Sequence, residues 1–525
     1  MQARHSDYYP VIHWRDFKLK LFIEGVFVGL LSGMVGVAFR FVLEKADLWR
    51  AELFPWLREK GPAVIVIWFV ILAVIAVILG FLGRKEPMAV GSGIPQVKGE
   101  LVGHLKMNWA QVLAVKFAGG ILAIGAGLSL GREGPSVQLG AVTAKGFSRF
   151  FKRLQIEEKY LMTSGAGAGL AAAFSAPLAG VIFSLEELHK NFSPAVLMSA
   201  MSASLTADFV AQKFFGQSPV FDFPNLPVLP INAYGYLIGL GVVAGVLGSF
   251  FNVTLLSVLR GYDRFTRIPQ ALKIMFPLFL AGVLGFILPQ VLGGGNALVD
   301  SLADTRYTLG FLVILWMVKF LFTMLSFGSG VPGGIFLPLL VLGALTGNIY
   351  AQVMQHFFHF NPEFINNFIV FAMAAYFTAI VKAPITGSIL ITEMTGTLEH
   401  MFALVAVSMT AYLISDLLKT VPVYDSLLDR ILAKQAQSRS EQNEHKGKVI
   451  TEASITLNSK LAGRMVREIT WPPNCLLVSI KRGDKEIIPK GESKLMPGDF
   501  IYVLTDENQT VNLQRYLFEM AEEQL

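Results

Sequence analysis

Charged residues are scarce in this chain of 525 residues: 16% are Asp, Glu, Lys or Arg, whereas 53% are hydrophobic. A mean hydropathy of +0.54 is too high for a soluble protein of this length. Cysteine is nearly absent as well, and the single thiol of Cys475 cannot close an internal disulfide. These shortages exclude a soluble globular chain and a disulfide framework, and they indicate an integral membrane protein.

Several functional motifs are also missing. The sequence contains no phosphate-binding lysine loop, zinc-protease helix or nucleophile elbow, and His189, His356 and His359 lack the spacing of metal ligands. The net charge of +6 is explained by basic residues beside membrane segments, without nucleic acid. We therefore expect no enzymatic activity, no metal, no required cofactor and no nucleic-acid partner.

Long uncharged runs take the place of these features. A helix that crosses the bilayer needs roughly 20 apolar residues, and residues 62–82, 223–259 and 320–362 lack Asp, Glu, Lys and Arg altogether. Similar apolar stretches recur up to residue 432. The pattern predicts an all-α, polytopic protein that lies in membrane lipid.

The start of the chain is basic and shows no signal-peptide pattern. Arg4, Arg15, Lys18 and Lys20 precede the first apolar run, and positive charge flanking a span favours the cytoplasmic side. We expect a retained N-terminus, both termini in the cytoplasm, and a location in the cell membrane.

Composition changes after residue 432. Residues 433–448 (AKQAQSRSEQNEHKGK) are polar and charged, which is typical of an exposed linker or a helix extension. The sequence thus predicts a membrane domain at 1–432, a linker at 433–448 and a cytoplasmic domain at 449–525.

The last segment shows short alternating runs separated by turn residues. We predict a small α+β domain. Its expected elements are strands at 476–480, 486–488 and 500–504, turns at 482–484 and 497–499, and a helix at 508–520.

The membrane region contains an internal repeat. Residues 131–143 (GREGPSVQLGAVT) align with 334–346 (GIFLPLLVLGALT), and 176–182 (APLAGVI) align with 383–389 (APITGSI) in the same order. Inverted repeats in transporters place broken helices, and the site between them, near the membrane midplane. The alignment predicts a duplicated domain with interrupted helices.

Each repeated segment begins with a glycine- and proline-rich break that opens an apolar helix. Residues 91–95 (GSGIP) and 328–332 (GSGVP) form similar breaks. Glycine permits close approach of the backbone, proline suits a first helical turn, and the free N–H groups attract an anion. No carboxylate or thiolate cage accompanies the breaks, so a small anion is favoured over a cation.

These breaks resemble the CLC family of chloride channels and chloride/proton exchangers. The resemblance rests on residues 91–95, 131–135 (GREGP), 334–338 (GIFLP) and 422–428 (PVYDSLL) in the family's order. It implies a bacterial homodimer with one pore per subunit, built on the CLC fold of tilted, broken helices. Ser92, in place of a proline, is similar to the chloride-selective branch.

The resemblance also implies a set of site residues. The hydroxyls of Ser92 and Tyr424 would coordinate the anion, and the backbone N–H groups of Ile335 and Phe336 would complete its shell. Gly93 and Ile94 would join the anion-binding set beside Ser92.

Glu133 can be interpreted from physical principles alone. A carboxylate at a helix N-terminus competes with chloride for the same N–H groups, and it loses that attraction when protonated. The resemblance makes Glu133 the external gate. The alternative is a capping carboxylate paired with Arg132, but ionisable groups at membrane depth are usually functional.

Proton exchange requires a second proton-accepting group that reaches the other side. The resemblance makes Glu187 the internal proton-transfer residue, because a glutamate at this position is typical of the exchangers. The alternative, a carboxylate at a cytoplasmic helix end, describes the neighbouring Glu186 adequately. Lys98 and Gln96 stand where some relatives have acidic residues.

The tail resembles the TrkA-C (RCK C-terminal) domain of potassium-transport regulators. The resemblance rests on residues 476–480, 482–484, 487–489 and 497–499. It implies dimerisation, and either a regulatory ligand such as a nucleotide or cyclic dinucleotide, or a passive dimerisation role.

Together these features predict a chloride/proton antiporter. A passive voltage- or ligand-gated chloride channel that uses the same pore is the first alternative. A ligand-sensing membrane protein with vestigial transport is the second.

Overall fold

The computed structural model describes residues 8–190, 193–223, 226–442, 448–456, 459–482 and 485–506, together with residues 509, 513, 516, 517, 520 and 521. The chain divides after Arg430 into two compact units. The first unit is helical and the second contains a four-stranded sheet.

The helical unit has two halves and a final helix. The first half contains α1 (Tyr8–Lys60), α2 (Pro62–Lys85), α3 (Ile94–Val102), α4 (Trp109–Gly125), α5 (Glu133–Phe150), α6 (Gln155–Phe174), α7 (Pro177–Phe183), a π-helix (Ser184–His189) and α8 (Pro194–Phe215). The second half contains α9 (Tyr234–Arg264), α10 (Gln270–Ile287), α11 (Asn296–Asp304), α12 (Leu309–Gly328), α13 (Phe336–Phe358), α14 (Ile365–Val381), α15 (Pro384–Thr395) and α16 (Met401–Leu417). The final helix is α17 (Val423–Gln442).

The two halves repeat the same order of long and short helices. The helices α3 and α11 each have nine residues, and each follows a short 3-10 helix, at Pro87–Ala89 and Pro289–Val291. The helices α5 and α13 begin within the two aligned glycine- and proline-rich segments. The expected all-α repeat fold is therefore confirmed, and the repeat extends well beyond the two aligned segments.

Helix composition supports a multi-pass membrane protein. Among the described residues, eight helices are long and apolar enough to cross a bilayer. In Pro62–Lys85 only 28% of the most apolar window is buried within the protein, whereas in Pro362–Val381 the share is 83%. The helix Pro62–Lys85 therefore presents its apolar side chains to lipid, whereas the segment Pro362–Val381 lies in the interior of the unit.

The second unit is an antiparallel sheet with the strand order β1-β4-β2-β3. Its strands are β1 (Lys448–Ser454), β2 (Cys475–Arg482), β3 (Lys485–Ile487) and β4 (Phe500–Asp506). The last three agree with the predicted strands, and the predicted turn after Pro497 is present, with Gly498 at φ 88°. In the predicted turn at 482–484, residues 483 and 484 lie outside the described residues. In the predicted helix at 508–520, the described residues 513, 516, 517 and 520 are helical.

Strand β1 is absent from the sequence-based prediction. Its large aliphatic residue Ile450 is 56% exposed, whereas Thr451 is buried at 7%. Because its outward position is apolar and its inward position is polar, the hydrophobic alternation that marks a half-buried strand is reversed. Of residues 433–448, the stretch 433–442 continues α17 and Lys448 begins β1, while 443–447 lie outside the described residues.

A buried carboxylate stabilises the turn that leads into β4. Asp499 is fully buried; its two oxygens accept hydrogen bonds from Nε and Nη2 of Arg482, both at 2.7 Å, and Oδ2 also accepts the N–H of Met496 at 2.8 Å. Burial acts to raise the pKa of Asp499, but the hydrogen bonds from Arg482 and Met496 outweigh it and hold the pKa below its ordinary value.

Replacing Asp499 with asparagine should destabilise the second unit by about 2 kcal/mol at pH 7, because Arg482 and the Met496 N–H lose a charged acceptor. The folded pKa is depressed, so this contribution is fully present above about pH 4 and disappears as the pH falls through the folded value. Amide hydrogen exchange of β2 and β4 in the full-length protein measures the difference. The exposed Glu452→Gln on β1 is the control, and equal exchange in Asp499→Asn and wild type at pH 7 would contradict the prediction.

Candidate functional site

The glycine- and proline-rich breaks are joined to one another by backbone hydrogen bonds. The N–H of Gly131 donates to the carbonyl of Gly334 at 2.7 Å, and the N–H of Gly334 donates back to Gly131 at 2.8 Å. Because these residues are equivalent in the repeat, this reciprocal pair is the arrangement that a two-fold relation between the halves produces. It brings the starts of α5 and α13 together.

A second pair of hydrogen bonds joins the break before α3 to the segment before α13. The N–H of Gly91 donates to the carbonyl of Val331 at 3.1 Å, and the N–H of Gly333 donates to the carbonyl of Gly91 at 3.0 Å. Three helix N-termini, those of α3, α5 and α13, thus meet in one region. Their free N–H groups and dipoles create a positive environment that suits an anion.

Glycine is required where the loop before α3 approaches α5. Gly93 has φ 99°, and a β-carbon there would lie 2.6 Å from Oε1 of Gln138. A β-carbon at Gly134 would lie 2.5 Å from Oγ of Ser92. The side chain of Ser92 is therefore packed directly against the first turn of α5.

The two hydroxyls expected to bind the anion are buried and unpaired. Ser92 is 2% exposed and Tyr424 is fully buried, and within the described part of the chain neither hydroxyl has a hydrogen-bond partner. Unpaired buried polar groups are costly, so these hydroxyls mark a place where a polar or charged ligand fits. Tyr424 lies in the first turn of α17, within electrostatic range of Glu187 and Glu133.

The remaining anion-binding candidates lie at helix starts, as expected. Gly93 and Ile94 begin α3, and Ile335 and Phe336 begin α13. The ring of Phe336 packs against the rings of Phe174, Phe183 and Phe377, with centroids 5.5, 6.5 and 4.8 Å away. These rings hold the first turn of α13 in place and leave its backbone N–H groups as the polar feature.

Glu133 is fully buried at the first residue of α5. Its Oε2 accepts the N–H of Leu337, in the first turn of α13, at 3.3 Å, and its Oε1 has no partner among the described residues. Arg132 forms its ion pair with Glu44 instead, at 3.2 Å. The carboxylate therefore occupies an N–H group of a helix start that also suits an anion.

Glu187 lies in the π-helix that follows α7 and is buried. Its Oε1 accepts a hydrogen bond from Nζ of Lys98 at 2.8 Å, and both side chains are only 5% exposed. Lys98 also pairs with Asp425, which in turn pairs with Lys190 at 2.9 Å. The sequence identified Lys98 only as a departure from relatives. The structure places it between Glu187 and Asp425, the residue that follows Tyr424.

Glu186 has a separate, structural environment. It accepts the N–H groups of Ile385 at 3.3 Å and Thr386 at 2.8 Å, at the start of α15. Its repeat equivalent, Glu393, accepts the N–H groups of Leu178 and Ala179 at the start of α7, at 3.0 and 2.7 Å. Each half of the repeat therefore caps a helix of the other half.

Two buried lysines were missed by the sequence interpretation. Lys116 donates to the carbonyls of Ala89 and Gly91 at 3.0 and 2.6 Å, directly before Ser92. Lys319 donates to the equivalent carbonyls of the second half, Val291 and Gly293, at 2.9 and 2.8 Å. A single lysine inside a long apolar run was the available signal, because such a charge must find partners within the protein.

Comparison with known proteins agrees with this architecture. Residues 75–416 match the sequence model of the voltage gated chloride channel family, known as CLC. The H(+)/Cl(-) exchange transporter ClcA of Citrobacter koseri is 33% identical over 443 residues, which cover 81% of this chain and 92% of that protein. The chain belongs to the CLC family. The same transporter of Vibrio cholerae serotype O1 is 35% identical over 425 residues, 78% of this chain and 89% of its own.

Solved CLC structures share the fold of the helical unit. A slow cyanobacterial Cl-/H+ antiporter superimposes with a TM-score of 0.76 at 29% identity, over 79% of this chain and 99% of its own. A CLC-type fluoride/proton antiporter, at 22% identity and a TM-score of 0.64, covers 77% and 97% of the two chains. Residues 450–517 match the TrkA-C domain, so the predicted identity of both parts of this CLC protein is confirmed.

Proposed function

We propose that this protein is a chloride/proton antiporter that moves chloride across the cell membrane in exchange for protons. The observation that carries the proposal is Glu133, a buried carboxylate with one oxygen accepting the Leu337 N–H and the other without a partner among the described residues. The names of the relatives, an H(+)/Cl(-) exchange transporter and a Cl-/H+ antiporter, support the same reaction. In this proposal the protein is a transporter rather than an enzyme, and it requires no cofactor.

The anion site uses helix N-termini and two hydroxyls. Ser92 and Tyr424 donate their unpaired hydroxyls to chloride. The N–H groups of Ile335 and Phe336, with the backbone of Gly93 and Ile94, supply the remaining positive groups. Chloride is surrounded by neutral hydroxyl and N–H donors, without a cationic side chain in direct contact. It therefore binds strongly enough to enter and weakly enough to leave.

Glu133 and Glu187 carry the protons. Ionised Glu133 occupies the α13 N-terminus as a substitute anion, and chloride displaces it when a proton removes its charge. Because one group binds either the helix or a proton, anion and proton occupancy are linked at this gate. Glu187 receives the proton on the cytoplasmic side, which completes the route.

The proposed assembly is a homodimer with both termini in the cytoplasm. Exposed apolar side chains support a second copy packed against the face formed by α7, α8, α15 and α16: Leu178 is 47% exposed, Ile385 48%, Leu205 49% and Val405 42%. Leu178 and Ile385 are repeat equivalents beside the reciprocal caps. A two-fold symmetric dimer would use this face in both subunits.

The proposed division of the chain is a transport domain at 1–432, a linker at 433–448 and a regulatory domain at 449–525. The separation of the two units after Arg430 and the TrkA-C match at 450–517 support it. We further propose that this domain binds a nucleotide or cyclic dinucleotide that regulates transport. The helix α17 supports such a role, because Tyr424 lies in its first turn and its last residues belong to the second unit.

The test is a flux measurement in liposomes that contain the purified protein and a weak internal buffer. A chloride gradient should drive protons against their own gradient, and a pH dye should record their movement. Chloride movement without a pH change would instead identify a passive channel. Binding of cyclic dinucleotide by a protein that shows no flux would identify a sensor, whereas a change in flux on adding the nucleotide would support regulation.

A further inference from the structure

Three elements of the proposed transport site meet at one lysine. Lys98 lies in the second turn of α3, the helix that begins beside Ser92. Its ammonium contacts Glu187 of the π-helix and Asp425 of α17. A β-carbon at Gly99 would lie 2.8 Å from the side chain of Leu428, so α3 and α17 are closely packed at this point.

The pairing creates competition for a single ammonium group. Lys98 is 4% exposed, so its charge has little access to water and depends on its two carboxylate partners. Asp425 also pairs with Lys190, which is 54% exposed and closes the network. With Glu187 ionised, the two lysines and two carboxylates have no net charge.

The other carboxylates beside Glu187 and Lys98 have partners of their own: Glu186 accepts the N–H groups of Ile385 and Thr386, and Glu100 of α3 pairs with Lys145. On α6, the ring of Tyr160 contacts the ring of His189, with centroids 5.7 Å apart, and the positive charge of Lys159 lies near the same histidine. The helix α8 carries no titratable side chain before Asp208, and α7 carries none. Asp425 is therefore the acceptor to which Lys98 turns when Glu187 loses its charge.

We propose that Lys98 is a positioning residue that couples protonation of Glu187 to the position of α17, and so to the chloride-binding hydroxyl of Tyr424. When a proton neutralises Glu187, the ammonium of Lys98 binds Asp425 alone, and the network gains one positive charge beside Tyr424. Asp425 is the chain neighbour of Tyr424, so a change in its pairing moves the first turn of α17. This inference rests on the proposed function and explains how the proton site and the chloride site communicate on the inner side.

A double-mutant cycle on chloride affinity tests the coupling. Calorimetry on the full-length protein should give a change of about fivefold in chloride Kd for Glu187→Gln, which imitates the protonated carboxyl. In the Asp425→Asn background the same substitution should change Kd less than about twofold, because the amide of Asn leaves Lys98 without a charged acceptor at this position of α17. Asp425→Glu should restore the full change.

The control is a matched ion pair outside the network. Lys382 and Asp416 pair at 2.8 Å, so in the Asp416→Asn background Glu187→Gln should keep its full effect. A through-space charge effect predicts the same factor with and without Asp425, and that result would overturn the proposal. Wild-type flux separates the two hypotheses. If the wild type couples chloride to protons but Glu187→Gln changes the chloride Kd by the same factor with and without Asp425, only the role of Lys98 is refuted. If the wild type moves chloride without protons, the antiport mechanism is refuted.

Discussion

Replacing Glu133 with glutamine should abolish chloride-driven proton transport while chloride still flows down its gradient. Glutamine keeps the size of the side chain but carries no exchangeable charge, so it neither competes as an anion nor accepts a transported proton. We expect proton flux to fall by about 100-fold, the lower range of what removing a proton-transfer group causes. Chloride efflux should also lose its dependence on pH.

The control for this gate variant is Glu44→Gln. Glu44 lies on α1 and accepts hydrogen bonds from Nη1 of Arg132 at 3.2 Å and from Nε of Arg40 at 2.8 Å. It should keep proton coupling, although one charge near the gate is lost. A Glu133→Gln protein that still pumps protons against their gradient would remove Glu133 from the proton route.

Replacing Glu187 with glutamine should stop proton transport and leave chloride transport in place. The side chain is buried against Lys98 and is separate from the reciprocal hydrogen bonds that form the anion region, so its loss interrupts the proton route without removing a chloride ligand. We again expect proton flux to fall by about 100-fold. Parallel recordings with a chloride electrode and a pH dye in the same liposomes measure both fluxes.

The neighbouring residue provides the matched control. Glu186→Gln keeps one oxygen, which can still accept the N–H of Thr386 that Oε2 of Glu186 accepts at 2.8 Å, so the start of α15 keeps one of its two capping hydrogen bonds. Proton flux through this variant should remain within about twofold of wild type, the range of a conservative change away from the chemistry. If proton flux fell equally in Glu186→Gln and Glu187→Gln, the assignment of one glutamate to structure and the other to transport would be wrong.

The two glutamates also illustrate how far sequence reasoning reaches. They are adjacent in the chain, in the segment SLEELH at 184–189, and the sequence separated their roles only through a family resemblance. The structure separates them physically, because the π-helix turns Glu186 toward the start of α15 and Glu187 toward Lys98. Widened helical spacing is not readable from residue types, since it depends on how α7 packs against its neighbours.

Lys98 and β1 show two further limits. The positive charge of Lys98 was visible in the sequence, but its partners come from residues 89 and 327 positions away. Strand β1 pairs with β4 over 58 positions of chain at Lys448 and Asp506, and its exposed apolar residue Ile450 conceals it in the sequence. Both depend on long-range contacts, which local periodicity cannot report.

The sequence by itself determined the membrane class, the repeated breaks and the residues at each helix start, because these follow from local composition and from glycine and proline chemistry. Only the tertiary structure decided which breaks face one another, that Arg132 pairs with Glu44 rather than Glu133, and that Lys98 links Glu187 to Asp425. The physical reason is that hydrogen bonds and ion pairs between distant segments depend on distance and burial, and folding alone brings those segments together.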